Sequence, residues 1–238
     1  MNTIKINKKN TLMVAHRGLS GIEKENTLAA FVAAGNRSYF GFECDIHKTI
    51  DGKYVVIHDS NTERVAGEAK VIEESTFDEI RQLQLLDSQG VNQKQYFIPT
   101  LAEYIEVSKR YEKECVIEIK GVFSEADVLE VIDIIKDLDY LDHCIFISFG
   151  IENIKYVRKH LKDIPCQLLL VEFSEEAFAE CLKYQFGLDI YFPHLTQEII
   201  DRYHEYNLLV NAWTVNQKED GERLAEMGID FITTNILE

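Results

Sequence analysis

This chain of 238 residues predicts a (β/α)8 TIM barrel, and three observations support that class. Eight apolar, strand-like runs recur along the sequence, each separated from the next by a segment of helical periodicity. Strands alternating with helices of this length build right-handed βαβ units around a parallel sheet, and eight such units close into a barrel. Polar residues collect at the C-terminal ends of the runs, where barrel enzymes keep their chemistry.

The first strand covers 11–15 and ends at His16-Arg17-Gly18. Glu25-Asn26-Thr27 then opens a helix to about residue 36, with Leu28, Phe31 and Val32 expected on one face. The second strand, 40–46, contains Phe42-Glu43-Cys44-Asp45-Ile46. From His47 the regular pattern breaks. Asp51-Gly52 marks a turn, an apolar run at 54–57 ends at His58-Asp59, and a short helix is expected around 77–83. Alternation resumes at Pro99. Helices at 100–111, 124–137, 151–161, 175–184, 196–206 and 217–226 alternate with strands at 115–119, 144–148, 166–171, 188–192, 208–213 and 230–233.

This layout divides the chain into a barrel (1–46 and 99–238) and a small inserted subdomain (47–98). The insertion is too long for a βα loop and is expected to lie over the C-terminal mouth. The sequence offers no eighth helix after the last strand. The wall between the last and first strands is therefore expected to be thin, or covered by a partner chain, and a homo-oligomer stays open.

Composition narrows the function. With 46% hydrophobic and 28% charged residues, the chain can bury a substantial core. Asp and Glu number 41 against 25 Lys and Arg, a formal charge of -16. Such a surface repels nucleic acid and argues against stable membrane association, and an anionic substrate needs local cations. No apolar run reaches the ~18 residues of a membrane span, and 1–10 is too polar for a signal peptide. The five cysteines, at 44, 115, 144, 166 and 181, lack CxxC spacing and read as reduced core thiols of a cytoplasmic protein.

Glu43 and Asp45 stand two apart on a strand, so both face the same side while Phe42, Cys44 and Ile46 face the other. A Glu-x-Asp pair alone is usually a solvated edge pair. Here the strand around it is apolar, and two desolvated carboxylates need a shared cation or a dense hydrogen-bond network. Glu118 arrives at the end of the third strand on the same face as Lys120. Together Glu43, Asp45 and Glu118 read as a three-carboxylate site for one hard divalent cation, Mg²⁺ or Ca²⁺. His16, Arg17, Ser148 and Trp213 also stand at strand ends. His47 and His194 follow strands without a motif around them, whereas His143, His160 and His204 read as surface residues.

The ordered set His16-Arg17-Gly18, Glu25-Asn26-Thr27, Glu43-x-Asp45, His58-Asp59 with Arg64, Pro99-Thr100-Leu101, Glu118-x-Lys120 and Trp213-Thr214-Val215-Asn216 resembles the glycerophosphodiester phosphodiesterases. The resemblance covers about residues 12–235. It implies a metal-dependent barrel with a small insertion after the second strand, hydrolysing glycerophosphodiesters to sn-glycerol 3-phosphate and an alcohol. It further implies that Glu43, Asp45 and Glu118 bind the metal and that His16 and His58 are the acid/base pair. Arg17 and Lys120 would contact phosphate, and Glu25 would support the metal side or the glycerol hydroxyls. Trp213, at a strand end, reads either as barrel core or, from its place at the mouth, as a wall of the substrate site. Two departures stand out: Thr233-Thr234-Asn235 replaces a Thr-Asp motif, and the polar His47-Lys48 follows Asp45.

Two other readings remain. A lysophospholipase D or phospholipase C-like enzyme would want an apolar or basic rim, which the net charge disfavours. A catalytically idle phosphate-ester-binding barrel would lack a metal ligand or a histidine, and each is present.

Overall fold

The computed structural model describes residues 2–87 and 89–238; Met1 and Ser88, in the expected segments 1–46 and 47–98, lie outside the described residues. The strands are β1 (Leu12–Ala15), β2 (Gly41–Lys48), β3 (Tyr54–Val56), β4 (Glu114–Ile119), β5 (Cys144–Ser148), β6 (Cys166–Leu170), β7 (Gly187–Tyr191), β8 (Val210–Trp213) and β9 (Phe231–Thr234). All but β3 pair in parallel, in the ring order β1-β9-β8-β7-β6-β5-β4-β2, and β1 closes the ring on β2. Helices α1 (Leu28–Gly35), α4 (Leu101–Tyr111), α5 (Glu125–Asp137), α6 (Ile151–His160), α7 (Glu175–Tyr184), α8 (Gln197–His204) and α9 (Lys218–Glu226) fill the crossovers. The barrel is closed and the class is as the sequence predicts.

Residue alternation sorts the interior from the wall. On β2, Phe42, Cys44 and Ile46 join the cluster between strands and helices, where Phe42 stacks on Phe31 at 5.4 Å and meets Tyr104 edge-on at 5.7 Å. A second cluster of Val14, Val116, Ile145, Ile147, Leu169 and Phe231 comes from β-strands alone and fills the barrel interior. Above it the interior residues become polar. Thr100 and Ser124 begin α4 and α5 as capping boxes with Glu103 and Asp127, satisfying amides that a helix start leaves free.

Two local differences from the sequence reading have plain causes. Helix α1 starts at Leu28 rather than at Glu25, because Thr27 accepts from the Ala30 amide as its N-cap and Asn26 turns left-handed. Its buried face is then Ala30, Phe31 and Ala34, and Val32 points outward. Strand β2 runs on to Lys48 because β3 pairs antiparallel with it, Ile46 opposite Val56 and Lys48 opposite Tyr54. Beyond β3 come the short helices α2 (Glu63–Ala66) and α3 (Phe77–Arg81), with a separate apolar cluster that includes Val55, Ile57, Val65, Ile72, Ile80 and Leu85.

Among the described residues no helix follows β9. The flanks of that gap, α9 and the turn after α1, are bridged instead by the two ends of the chain. Ile4 N donates to Ile236 O at 3.0 Å and Glu238 N to Ile4 O at 2.8 Å. Leu237 is fully buried, and a Cβ added to Gly221 of α9 would lie 2.8 Å from its Cδ1 and 3.0 Å from that of Ile6. On the other flank, the Ser38 amide and hydroxyl both donate to Glu238 Oε1. Leu237→Ala removes buried methyl groups from this plug. It should lower unfolding free energy by about 2–4 kcal/mol with an unchanged denaturant slope. A loss below about 0.5 kcal/mol in urea titration would show that the paired ends do not hold the wall.

Candidate active site

β1 hands the chain to His16-Arg17-Gly18 at the mouth. Arg17 and Gly18 adopt φ of 54° and 74°, a region that costs a residue with a Cβ. At Gly18 a Cβ would also lie 2.6 Å from the Ala30 carbonyl carbon, so α1 packs directly on this turn. The turn aims the Arg17 amide at Glu43, donating to Oε2 at 2.9 Å. The Glu-Asn-Thr motif completes the corner. Asn26 at φ 54° donates from Nδ2 to Asp45 Oδ2 at 2.8 Å, and Thr27 caps α1.

Asp45 of β2 lies opposite Glu118 of β4 in register, with Glu43 on the same face. One oxygen from each of these buried carboxylates lies within 4.8 Å of the others. Glu43 Oε1 and Asp45 Oδ1 have no hydrogen-bond partner among the described residues. Burial, with Asp45 and Glu118 nearby, pushes the Glu43 carboxyl well up. Burial and Asp45 likewise push Glu118 up to about 8 against the pull of Lys120. Asp45 goes the other way: burial opposes it, but Arg17 and Lys120 hold it below the usual carboxylate range. Oxygen donors alone, crowded and under-satisfied, are the donor set of a hard divalent cation, and these three residues fit one.

Two cations stand beside the acids. Arg17 Nε is 3.4 Å from Asp45 Oδ2, and Lys120 Nζ is 2.8 Å from Glu118 Oε1 and 3.4 Å from Asp45 Oδ1. Glu25 does not face the carboxylates. Its Oε1 accepts from Arg17 Nη1 at 2.9 Å and Arg64 Nη2 at 2.7 Å, and its Oε2 from Arg64 Nη1 at 2.9 Å. Arg64 also donates from Nε to Asp59 Oδ2 at 2.6 Å.

His16 and His58 line the same cavity, which holds about 90 Å³. His16 Nδ1 donates to Asn235 Oδ1 at 2.8 Å, leaving Nε2 as acceptor, 4.0 Å from Glu43 Oε2. Burial, helped by Arg17, pulls His16 down to about 4. His58 Nδ1 donates to Asp59 Oδ1 at 2.7 Å. Arg64, against burial, holds the Asp59 carboxyl at about 2. Buried His47 donates from Nε2 to the His58 carbonyl at 3.1 Å, so this departure from the family pattern holds up the segment carrying His58. Trp213 also lines the cavity, edge-on to Phe149 at 5.7 Å, and its Nε1 donates to Asp189 O at 3.3 Å. Ser148 is spent on the scaffold, donating to Ile119 O at 2.7 Å. His143, His160 and His204 pair outside the site with Glu114, Glu125 and Asp230, and His194 lies 3.6 Å from Glu172.

The fold thus brings His16, Arg17, Glu43, Asp45, His58, Glu118, Lys120 and Trp213 to one mouth, with Glu25 one layer behind. The profile of the glycerophosphoryl diester phosphodiesterase family matches residues 16–238. The chain belongs to that family. A glycerophosphodiester phosphodiesterase of Caldanaerobacter subterraneus is 30% identical over 228 residues, 94% of each chain. The crystal structure of the Thermotoga maritima glycerophosphodiester phosphodiesterase superposes with a TM-score of 0.77 at 27% identity over 94% of each chain. An Oleispira antarctica phosphodiesterase, solved with its product sn-glycerol-3-phosphate, shares the fold with a TM-score of 0.86 at 23% identity, over 97% of this chain and 95% of that one. As in the family, this chain is an enzyme, a phosphoric diester hydrolase; no helix among the described residues is long and apolar enough to cross a membrane.

The motifs did not point to two residues at the mouth. Asn235, part of the departure at the last strand, is the partner of His16. Asp189 of β7 lines the cavity, is 1% exposed, and keeps Oδ1 without a partner among the described residues. A lone acid inside Leu188-Asp189-Ile190 was the available signal. Burial raises its carboxyl to about 7, with Asn211 opposing. A carboxyl whose folded pKa is raised contributes stability below its unfolded value of 3.8 and loses it as pH climbs to about 7. Asp189→Asn has no such loss. Its stability relative to wild type should therefore improve between pH 4 and 7, by the order of a few kcal/mol, and level off above. Denaturation at matched pH values checks this, and a flat difference across that range would contradict it.

Proposed function

We propose that the chain hydrolyses glycerophosphodiesters to sn-glycerol 3-phosphate and an alcohol, using one divalent cation, Mg²⁺ or Ca²⁺, and the histidines His16 and His58. The observation that carries this reading is the convergence of three buried carboxylates beside Arg17 and Lys120 in a cavity lined by both imidazoles. Glu43, Asp45 and Glu118 would hold the ion, which when bound supplies positive charge for a phosphodiester oxygen. Arg17 and Lys120 bind the phosphoryl oxygens, where charge grows in the transition state. Glu25 and Arg64 act at one remove, holding Arg17 and Asp59 in place.

The two imidazoles differ in their partners, and this divides their tasks. His16 Nδ1 rests on a neutral amide, so its bare Nε2 takes the proton from the attacking hydroxyl: a water, which gives glycerol 3-phosphate directly, or the glycerol 2-hydroxyl, which gives a cyclic phosphate that a water then opens to glycerol 3-phosphate. His58 rests on Asp59, and a carboxylate attracts an imidazolium, so His58 Nε2 delivers a proton to the leaving oxygen. Residues 47–98 act as a small subdomain over the mouth that supplies His58. The five buried free thiols support a cytoplasmic setting.

One feature favours a second substrate for the same machinery. Val122, Phe149 and Val171 follow the ends of β4, β5 and β6 and are 95%, 48% and 50% exposed. An apolar rim suits an acyl chain, as in a lysophospholipase D. Turnover of lysophosphatidylcholine well above that of glycerophosphocholine would favour it.

His16→Ala and His58→Ala should each lower kcat on glycerophosphocholine by about a hundredfold or more. With a 4-nitrophenyl ester, whose leaving group needs no proton, His58→Ala should recover most of its rate and His16→Ala should not. Equal recovery by both would contradict the division of tasks, and recovery by His16→Ala alone would reverse it. EDTA should abolish release of glycerol 3-phosphate, and added Mg²⁺ or Ca²⁺ should raise the melting temperature of wild type but not of Asp45→Asn. Full turnover after exhaustive chelation would end the metal reading.

A further inference from the structure

From the placement of Asp189 we infer that its carboxyl reads the terminal hydroxyl of the substrate's glycerol unit, at the far side of the cavity from the carboxylate cluster. This rests on the proposed glycerophosphodiester reading and extends it to the residue that selects glycerol.

The argument starts from the ring. β7, which carries Asp189, is four strands from β2 in either direction, so Asp189 stands across the barrel from Glu43 and Asp45. The interior wall on one side between them is apolar, with Ile147 and Leu169 lining the cavity. On the other side Asn211 and Thr233 pair with each other, Nδ2 donating to Oγ1 at 2.8 Å and Oγ1 to Oδ1 at 3.2 Å. Asp189 Oδ1 is the buried side-chain atom on this wall that keeps no hydrogen-bond partner among the described residues. A buried polar atom without a partner costs free energy that a matching ligand group recovers on binding. A carboxyl near neutrality accepts from a hydroxyl when ionised and donates to it when protonated, so either form pairs.

The choice of glycerol over the leaving alcohol follows from depth. Asp189 is 1% exposed, whereas Tyr191, two residues further along β7, is 37% exposed at the rim. A fixed buried contact suits the part of the substrate that is constant, and an open rim suits the part that varies. Of the glycerol hydroxyls, the one on C2 lies next to the phosphate-bearing carbon and stays near His16. Only the terminal one extends across the barrel from the phosphate.

The test compares glycerophosphocholine with the phosphocholine ester of propane-1,2-diol, which keeps the secondary hydroxyl and lacks the terminal one. Wild type should prefer the glycerol ester by about tenfold or more in kcat/KM, the effect of one lost hydrogen bond to a buried charged group. In Asp189→Leu the preference should collapse to within about twofold. The ratio is taken within each variant, so it does not depend on the fraction of enzyme that folds. A preference retained in Asp189→Leu, with both substrates losing equally, would overturn this inference and leave the proposed reaction standing, as would a wild type indifferent to the terminal hydroxyl. Absence of wild-type turnover on both esters, with divalent ion present, would overturn both.

Discussion

Mutual repulsion among Glu43, Asp45 and Glu118 is the constraint on which the mouth of this barrel depends. Each is buried, and each is brought to the others by strand register: β2 and β4 pair with Asp45 opposite Glu118. Alone they could not all ionise. Arg17 and Lys120 offset part of the charge, and Glu43 Oε1 and Asp45 Oδ1 still have no hydrogen-bond partner among the described residues. A bound divalent ion would leave this inner group with one excess positive charge. That is the charge of a phosphodiester with its sign reversed. A strongly acidic chain can thereby admit an anion, provided the reversal stays inside one small cavity.

The same cluster explains why so much of the surrounding hydrogen bonding is devoted to holding a few atoms still. Arg17 bends left-handed to give its amide to Glu43, and Asn26 does the same to give its side chain to Asp45. Glu25 joins Arg17 to Arg64, Arg64 joins Asp59, and Asp59 joins His58. One chain of charges therefore runs from Arg17 in the first barrel loop, next in sequence to His16, to His58 in the segment after β3. His47 adds a bond to the backbone under His58. Much of this network is partly exposed, where ion pairs contribute little to stability, so its role is better sought in geometry than in the free energy of folding.

What could be read from the sequence follows from which signals are local. Strand and helix periodicity depends on neighbouring residues, and the eight-fold alternation, the break after residue 46 and the acids of β2 were all visible as patterns. The start of α1 was not, because Glu25 and Asn26 look like the first turn of a helix until the left-handed φ of Asn26 is known. The filling of the gap beside β9 depends on two chain ends meeting, a pairing with no local signature. The partners of the histidines were legible in one case and hidden in the other. Asp59 is adjacent to His58 in sequence, whereas Asn235 lies 219 positions from His16 and meets it only when the barrel closes.

Closure also explains why Asp189 escaped notice. In a linear reading it is a single acid in an apolar run, with neither a motif around it nor a second carboxylate at i+2. Its environment is created by the ring, which sets β7 opposite β2 and surrounds the carboxyl with Leu169, Trp213 and the paired Asn211 and Thr233. The barrel interior is apolar below this level, and at it Leu169 and Ile147 share the wall with Asp189 and Glu118. A group left unsatisfied at that boundary is therefore not a packing accident of the core. It lines the cavity on the wall across from the charged cluster. A cavity charged at one side and sparing in hydrogen bonds at the other is shaped for a molecule with the same asymmetry, a phosphate at one end and a single hydroxyl at the other.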